Sequence, residues 1–293
     1  MSEERRKITL VLGGGGVRGL AHLGVLKVLE EEDIPIERIV GTSAGAIIGA
    51  MYARRPAAEP LIERVLEFLS SSAFRRLNLK FDLDSRERGE KPSILDRVLH
   101  GLKRQLAMEL LFRRPAIFSS DILRRLVGGL VGDGHVEESV LPLHITALDL
   151  VTGERAVLSS GDLRSAVVAS SSVPGFFPPI EREGRLLTDA GLVENMGVDA
   201  ARELGADRIV AVSLNSVIEP ISEFPTGIDV IFRNEEIGTK LSNDRCKLLA
   251  DIVLEPNVEG RYWLDFRAPE DVIEAGAEAT RRKVRELHAA VTR

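Results

Sequence analysis

Apolar residues along the chain alternate between short continuous runs and longer stretches with helical spacing. The runs predict buried strands at residues 8–12, 38–40, 143–150, 155–158, 184–188, 208–214 and 252–255. The stretches predict helices at residues 17–32, 44–52, 58–69, 120–131, 163–171, 198–204, 226–249 and 269–291. This alternation predicts an α/β fold, a three-layer sandwich with helices on both faces of a mainly parallel central sheet.

One segment, residues 70–118, departs from this alternation. It begins with a polar stretch that predicts a loop and continues at 94–118 as an amphipathic helix with a basic polar side. We predict one domain over residues 1–293, in which residues 70–118 form a helical lid or insertion. Two interpretations of the helix stay open: a surface helix packed on the domain, or a lid that meets an anionic lipid surface.

Residues 41–45 read Gly-Thr-Ser-Ala-Gly and lie between a predicted strand and a predicted helix. This is the nucleophile-elbow pattern, in which a serine lies on a tight bend and its neighbours are small, here Gly41 and Gly45. The pattern also fits a serine N-cap in an ordinary turn. The strand before it and the small-residue helix after it favour Ser43 as a nucleophile.

Four consecutive glycines follow the first strand, at residues 13–16. Gly14, Gly16 and Gly19 satisfy the dinucleotide-binding spacing, but that motif also needs an acidic residue after the next strand, which here runs into the elbow. The other interpretation is an oxyanion hole, in which the amides of Gly14, Gly15 and Gly16, with help from Arg18, point at one spot beside Ser43. An elbow one βα unit later favours this second interpretation.

The five histidines do not supply an obvious base for the serine. His22 lies in an apolar helix, where a packing role is expected, and His100, His135, His144 and His288 are scattered along the chain. Asp189 is the better candidate, because it follows a short strand and precedes Ala190 and Gly191, a small-residue turn that lets it approach closely. A carboxylate in that position can accept the serine proton directly.

These three motifs together resemble the patatin-like phospholipases, and most closely their short bacterial members. The glycine loop from Gly14 to Gly19, the elbow from Gly41 to Gly45 and the Asp-Ala-Gly at residues 189–191 match the family's patterns in the same order. Residues 169–179, 192–214 and 251–256 are similar to the family too. The resemblance implies a Ser43–Asp189 dyad. One departure is Ala190, where the family usually has glycine, a residue with more backbone freedom.

Composition narrows the function classes further. The chain is 44% apolar but 4% aromatic, so its core must rest on aliphatic residues, and its net charge of -6 argues against nucleic-acid binding. Cys246 is the sole cysteine, and no His or Cys pair has metal-ligand spacing, so we predict neither a disulfide nor a metal or other cofactor. The polar start and the short first apolar run predict a cytoplasmic protein, with peripheral membrane contact left open.

The leading hypothesis is therefore a serine lipid acyl hydrolase of the phospholipase A or esterase type, acting on a lipid or ester substrate. Alternatives are a small-ester or thioester hydrolase with the same dyad, and a regulatory member of the fold without useful activity. A nucleotide-binding α/β protein comes last. The sequence leaves the head group, the acyl length and the oligomeric state open.

Overall fold

A single mixed sheet organises the described part of the chain. The computed structural model describes residues 5–81, 113–214, 226–258, 261 and 263–292, together with positions 218, 220, 221 and 224. Its strands there are β1 (Ile8–Leu12), β2 (Ile36–Thr42), β3 (Leu143–Asp149), β4 (Arg155–Leu158), β5 (Ile180–Arg182), β6 (Arg185–Thr188), β7 (Ile209–Val212) and β8 (Ile252–Leu254). The order across the sheet is β5-β6-β3-β2-β1-β7-β8, and β4 pairs with β3.

The central part of this sheet is parallel. β1 lies between β2 and β7, β3 pairs with β2, and β8 pairs with β7, all in parallel register. β4, β5 and β6 add antiparallel pairs at one side. The predicted three-layer α/β sandwich with a mainly parallel sheet is therefore confirmed.

Helices cover both faces of the sheet. They are α1 (Ala21–Glu31), α2 (Ala44–Arg54), α3 (Ala58–Ser70), α4 (Ser72–Phe81), α5 (Ser120–Leu130), α6 (Leu163–Ser170), α7 (Val198–Glu203), α8 (Gly227–Lys247), α9 (Pro269–Arg281) and α10 (Val284–Val291), with short 3-10 turns at Gly16–Leu20 and Val136–Glu138. Successive side chains of β1 point to opposite faces of the sheet, which explains why there is a core under each layer of helices. Leu10 and Leu12 join the larger core under α1, α2 and α3, whereas Val11 joins a smaller core under α7 and α8.

The structure corrects four local predictions. Residues 72–81 form α4 and not a loop, because Phe74 is buried against Phe68 and Phe266. The helix expected from residue 17 begins as a 3-10 turn, whose Val17 amide donates to the Trp263 carbonyl. The single helix expected at 269–291 is two helices, and β5 was not predicted. The predicted helix at 94–118 falls mainly outside the described residues, so the lid and the one-domain organisation stay predictions.

The strand register brings the three motifs to one edge of the sheet. Leu12, at the end of β1, pairs with Gly41 near the end of β2, so the glycine loop and the elbow leave the sheet side by side. Thr188, at the end of β6, pairs with Leu148 near the carboxyl end of β3. Asp189 therefore follows from the same edge, where ligand sites of open α/β sheets lie.

Two glycines allow α1 and α9 to pack backbone against backbone. A Cβ added at Gly276 would lie 1.9 Å from the Ala21 carbonyl oxygen, and one at Gly24 would lie 1.9 Å from the Ile273 carbonyl oxygen. Side chains cannot be accommodated at such distances unless the helices move apart. Contact of this kind fixes where α1, and with it the glycine loop that precedes it, lies on the sheet.

We therefore expect Gly276→Ala to lower the free energy of unfolding by about 2 kcal/mol or more, although alanine is the better helix former. Gly238→Ala in α8 is the matched control, because no described residue outside that helix lies within 4 Å of its added Cβ. That control should gain up to about 1 kcal/mol. Urea unfolding of both variants measures the difference, and equal stabilities would contradict this account of the helix contact.

Candidate active site

Ser43 lies on a strained turn between β2 and α2. Its backbone has φ 54° and ψ −118°, a region that residues other than glycine rarely occupy. Small neighbours make the turn possible: a Cβ on Gly45 would lie 2.0 Å from the Leu12 carbonyl oxygen, and one on Gly19 would lie 2.5 Å from Ala44 Cβ. A Cβ on Gly41 would lie 2.7 Å from the Gly45 carbonyl oxygen. The structure thus gives Ser43 the geometry of a nucleophile elbow.

Three consecutive serines at the end of α6 support this turn. The Ser43 amide donates to Ser170 Oγ at 2.8 Å, and Ser171 Oγ donates to the Ser43 carbonyl at 3.5 Å. The next residue, Ser172, accepts the Asp189 amide with its carbonyl at 3.0 Å. Residues 170–172 therefore hold both candidate catalytic residues. The sequence of this segment resembles a loop of the family, but it did not reveal these hydrogen bonds to Ser43 and Asp189.

The Ser43 hydroxyl lies beside the Asp189 carboxyl and lowers its pKa as a hydrogen-bond donor. Asp189 Oδ1 also accepts the Gly191 amide at 2.7 Å, and the residue is 4% exposed. Burial raises the pKa of the Asp189 carboxyl to about 6, against the lowering effect of these two hydrogen bonds. The pKa value leaves most of the group ionised at neutral pH, where it can act as a base.

Ala190 fits its position without strain. Its φ is not positive, so the turn after Asp189 does not need the conformational freedom of glycine. The Ala190 carbonyl accepts the amides of Val193 and Glu194, and the side chain is buried. The departure from the family pattern therefore leaves the Asp189 geometry intact.

Asn195 fastens the glycine loop to the segment that carries Asp189. Its carbonyl accepts the Gly14 amide at 3.0 Å, and its Nδ2 donates to the Gly14 carbonyl at 3.1 Å. The Gly13 amide donates to the Val212 carbonyl. Among the described residues, the amides of Gly15 and Gly16 have no acceptor, so these two remain for an oxyanion. Gly14 instead provides space, since a Cβ there would lie 2.4 Å from Asn195 Oδ1.

Arg18 steadies the same loop. Its Nε donates to the Gly15 carbonyl at 3.2 Å, and the side chain is half-buried. Burial lowers the pKa of the guanidinium, and the negative charge of Glu236 raises it. Arg18 therefore contacts the loop at the Gly15 carbonyl, which points away from the amide of the same peptide group.

The described histidines all have partners other than the Ser43–Asp189 pair. His22 Nε2 donates to the Gly13 carbonyl at 2.8 Å, and burial lowers its pKa to about 4, which keeps the ring neutral. His144 contacts Ser159, His135 contacts Glu138 and His288 contacts Glu32. The buried position of His22 agrees with the packing role expected for it. His100 lies outside the described residues, and the absence of a catalytic histidine stays a prediction.

Ser43 forms part of the walls of two cavities with different character. An apolar one of about 140 Å³ is lined by aliphatic and aromatic side chains, among them Leu69, Phe74 and Phe177. A larger cleft of about 680 Å³ is lined by the glycine loop, Asp189 and polar side chains of α8. Gly16, Val173 and Trp263 belong to both walls. A molecule that reaches Ser43 can therefore place an apolar part and a polar part in separate spaces.

Other features of the described residues bear on ligands and membranes. No group of three His, Cys, Asp or Glu side chains within them converges where a metal ion could bind. None of the helices in this part of the chain combines the length and the apolar character needed to cross a bilayer.

A strained serine beside a buried carboxylate, next to two backbone amides that have no acceptor in the described part of the chain, is the arrangement of a candidate acyl-transfer site. The model of the patatin-like phospholipase family matches residues 10–202. The match covers more than half of the chain, so the chain belongs to the patatin-like phospholipase family, which confirms the predicted resemblance.

Relatives with this similarity are much longer than the chain. Patatin-like phospholipase domain-containing protein 6 of Mus musculus is 31% identical over 211 residues, which are 71% of this chain and 14% of that protein. Lysophospholipase nte1 of Aspergillus fumigatus is 32% identical over 212 residues, 72% of this chain and 12% of that protein. The crystal structure of VipD from Legionella pneumophila superposes with a TM-score of 0.50 at 15% identity, over 98% of this chain and 67% of that one. This last likeness concerns the fold alone.

The raised pKa of Asp189 predicts a pH-dependent cost to stability. Between pH 3.8 and about 6 the folded protein holds the proton that the unfolded chain has lost, so stability falls as pH rises through this range. Asp189→Asn removes the charge and keeps the shape, and should be more stable than wild type by about 3 kcal/mol above pH 6. Urea unfolding should show this gain shrinking to nothing below pH about 4. A gain independent of pH would show that charge burial is not its cause.

Proposed function

We propose that the protein is a serine lipid acyl hydrolase that uses Ser43 and Asp189 as a catalytic dyad. The observation that carries this proposal is the placement of the strained Ser43 beside the buried Asp189 carboxyl, where the apolar cavity meets the polar cleft. Family membership and the names of the phospholipase and lysophospholipase relatives support it.

The proposed reaction has two halves. Ser43 Oγ attacks the ester carbonyl carbon while Asp189 takes the hydroxyl proton, and the amides of Gly15 and Gly16 donate to the oxyanion. The proton then passes from Asp189 to the leaving alcohol, which departs and leaves an acyl-enzyme. Asp189 next takes a proton from water, the resulting hydroxide attacks the acyl carbon, and Ser43 regains its proton as the carboxylic acid leaves.

The two cavities support a substrate with an acyl chain and a polar head. The apolar cavity suits the chain, and its burial supplies binding free energy of about 0.8 kcal/mol per CH₂ group. The cleft holds cationic and anionic side chains, including Arg18 and the Arg233–Glu236 ion pair at 2.7 Å, which suit a charged head group. We infer a phospholipid or lysophospholipid, whose supply requires contact with a lipid surface.

Two other functions stay open. A small-ester or thioester hydrolase would use the same dyad, and only substrate comparison separates it from a lipid hydrolase. A regulatory protein without activity would keep the fold but would not react with a fluorophosphonate. Turnover of a panel of phospholipids, lysophospholipids and short thioesters discriminates among the three.

The dyad predicts which variants lose activity. Ser43→Ala and Asp189→Asn should each reduce hydrolysis of p-nitrophenyl butyrate by about a thousandfold or more, because members of one catalytic unit fail together. Ser43→Ala should also abolish fluorophosphonate labelling. The variants His135→Ala, His144→Ala and His288→Ala are the controls and should retain turnover. A histidine variant as inactive as Ser43→Ala, beside an active Asp189→Asn, would replace the dyad by a histidine-based site.

The pKa of Asp189 also predicts the acid limb of the pH profile. Because the base must be ionised, kcat/KM should fall about tenfold per pH unit below pH about 6 and level off above it. An unperturbed aspartate would place this limb near ~3.9, and burial moves it close to the ordinary histidine range. The limb should persist unchanged in the three control histidine variants. A limb that moves in any of them would assign the titration to that histidine.

A further inference from the structure

One aromatic ring in the wall of the apolar cavity rests against a glycine. Phe68, near the end of α3, lines the cavity together with Leu126 and Leu130 of α5. A Cβ added to Gly129 of α5 would lie 2.3 Å from Phe68 Cε2 and 3.1 Å from its Cδ2 and Cζ. The ring can take its position only because residue 129 has no side chain.

Phe68 belongs to the part of the wall that comes from the outer helices. The catalytic elements contribute Gly16, Gly19 and Ser43 to the same cavity. Ring contacts run along the wall from Phe266, three residues after Trp263 in the chain: the Phe266 ring centroid is 4.9 Å from that of Phe74, and Phe74 is 5.5 Å from Phe68. Phe68 therefore occupies the wall where the far end of an acyl chain would lie.

We propose that Phe68, seated on Gly129, determines the length of the acyl chain that the cavity accepts. The inference rests on the proposed function, since it places the acyl chain of the substrate in this cavity. The cavity holds about 140 Å³, so the position of a single ring in its wall changes the space for a chain appreciably. Chain-length preference then follows from one contact between α3 and α5.

Two substitutions move this wall in opposite directions. Phe68→Leu removes the ring and enlarges the cavity. Gly129→Ala pushes the Phe68 ring away from α5 and into the cavity, so the cavity becomes shorter. Butyrate turnover by the same variant reports whether the fold survives, so a loss confined to the long-chain ester would not reflect helix unfolding. Gly128→Ala is the matched control, because its Cβ would meet only Arg164 Cζ, at 3.9 Å.

The experiment compares kcat/KM for p-nitrophenyl dodecanoate with that for p-nitrophenyl butyrate. The dodecanoate-to-butyrate ratio should rise about tenfold in Phe68→Leu and fall about tenfold in Gly129→Ala, because each CH₂ group in an apolar pocket affects selectivity strongly. Gly128→Ala should keep the wild-type ratio. Ratios that are the same in all four proteins would overturn the assignment.

A binding measurement separates this inference from the proposed function. Titration calorimetry of hexanoate and dodecanoate, in the Ser43→Ala background, reports on the cavity without turnover. The affinity ratio should move in the same two directions. If wild type neither labels with fluorophosphonate nor hydrolyses any ester, the proposed function fails. An affinity ratio that neither substitution changes would overturn the role of Phe68 whether or not the enzyme is active.

Discussion

The strained backbone of Ser43 is the constraint on which the rest of the site depends. A residue held at φ 54° needs surroundings that fix it. Here the Ser43 amide donates to Ser170 Oγ and the Ser43 carbonyl accepts from Ser171 Oγ, so both sides of the turn are held. The turn also needs backbone from neighbouring elements to come within contact distance, which requires glycine at positions 19 and 45. Several glycines of the first two βα units are therefore needed to accommodate the turn at Ser43.

Burial of a carboxylate beside that serine adds a second constraint. The Asp189 carboxylate is stabilised by the Ser43 hydroxyl and the Gly191 amide. No cation among the described residues contacts it. Burial raises the pKa of Asp189 towards neutrality, a range that suits a general base. The cost is a lower stability above the pKa of Asp189.

Much of this arrangement was predictable from local sequence. Apolar runs and helical spacing predicted the parallel sheet and most of its helices, because each pattern reflects burial on one face of an element. The elbow and the aspartate were identified from small residues around a strand end. Short elements were harder: α4 and β5 carry weak patterns, and their burial depends on residues far along the chain, such as Phe266 against Phe74.

The sequence by itself determined which residues have the chemistry for acyl transfer, because a nucleophile, a carboxylate and a glycine loop are properties of residue types and their spacing. It did not determine which amides of the glycine loop are already engaged. Gly14, Gly15 and Gly16 look alike in sequence, and only the contact with Asn195 engages the Gly14 amide and leaves the other two. The tertiary structure also determines the two cavities and the contact between Phe68 and Gly129. These features arise where separate elements meet, and distances between such elements are set by packing that no local pattern encodes.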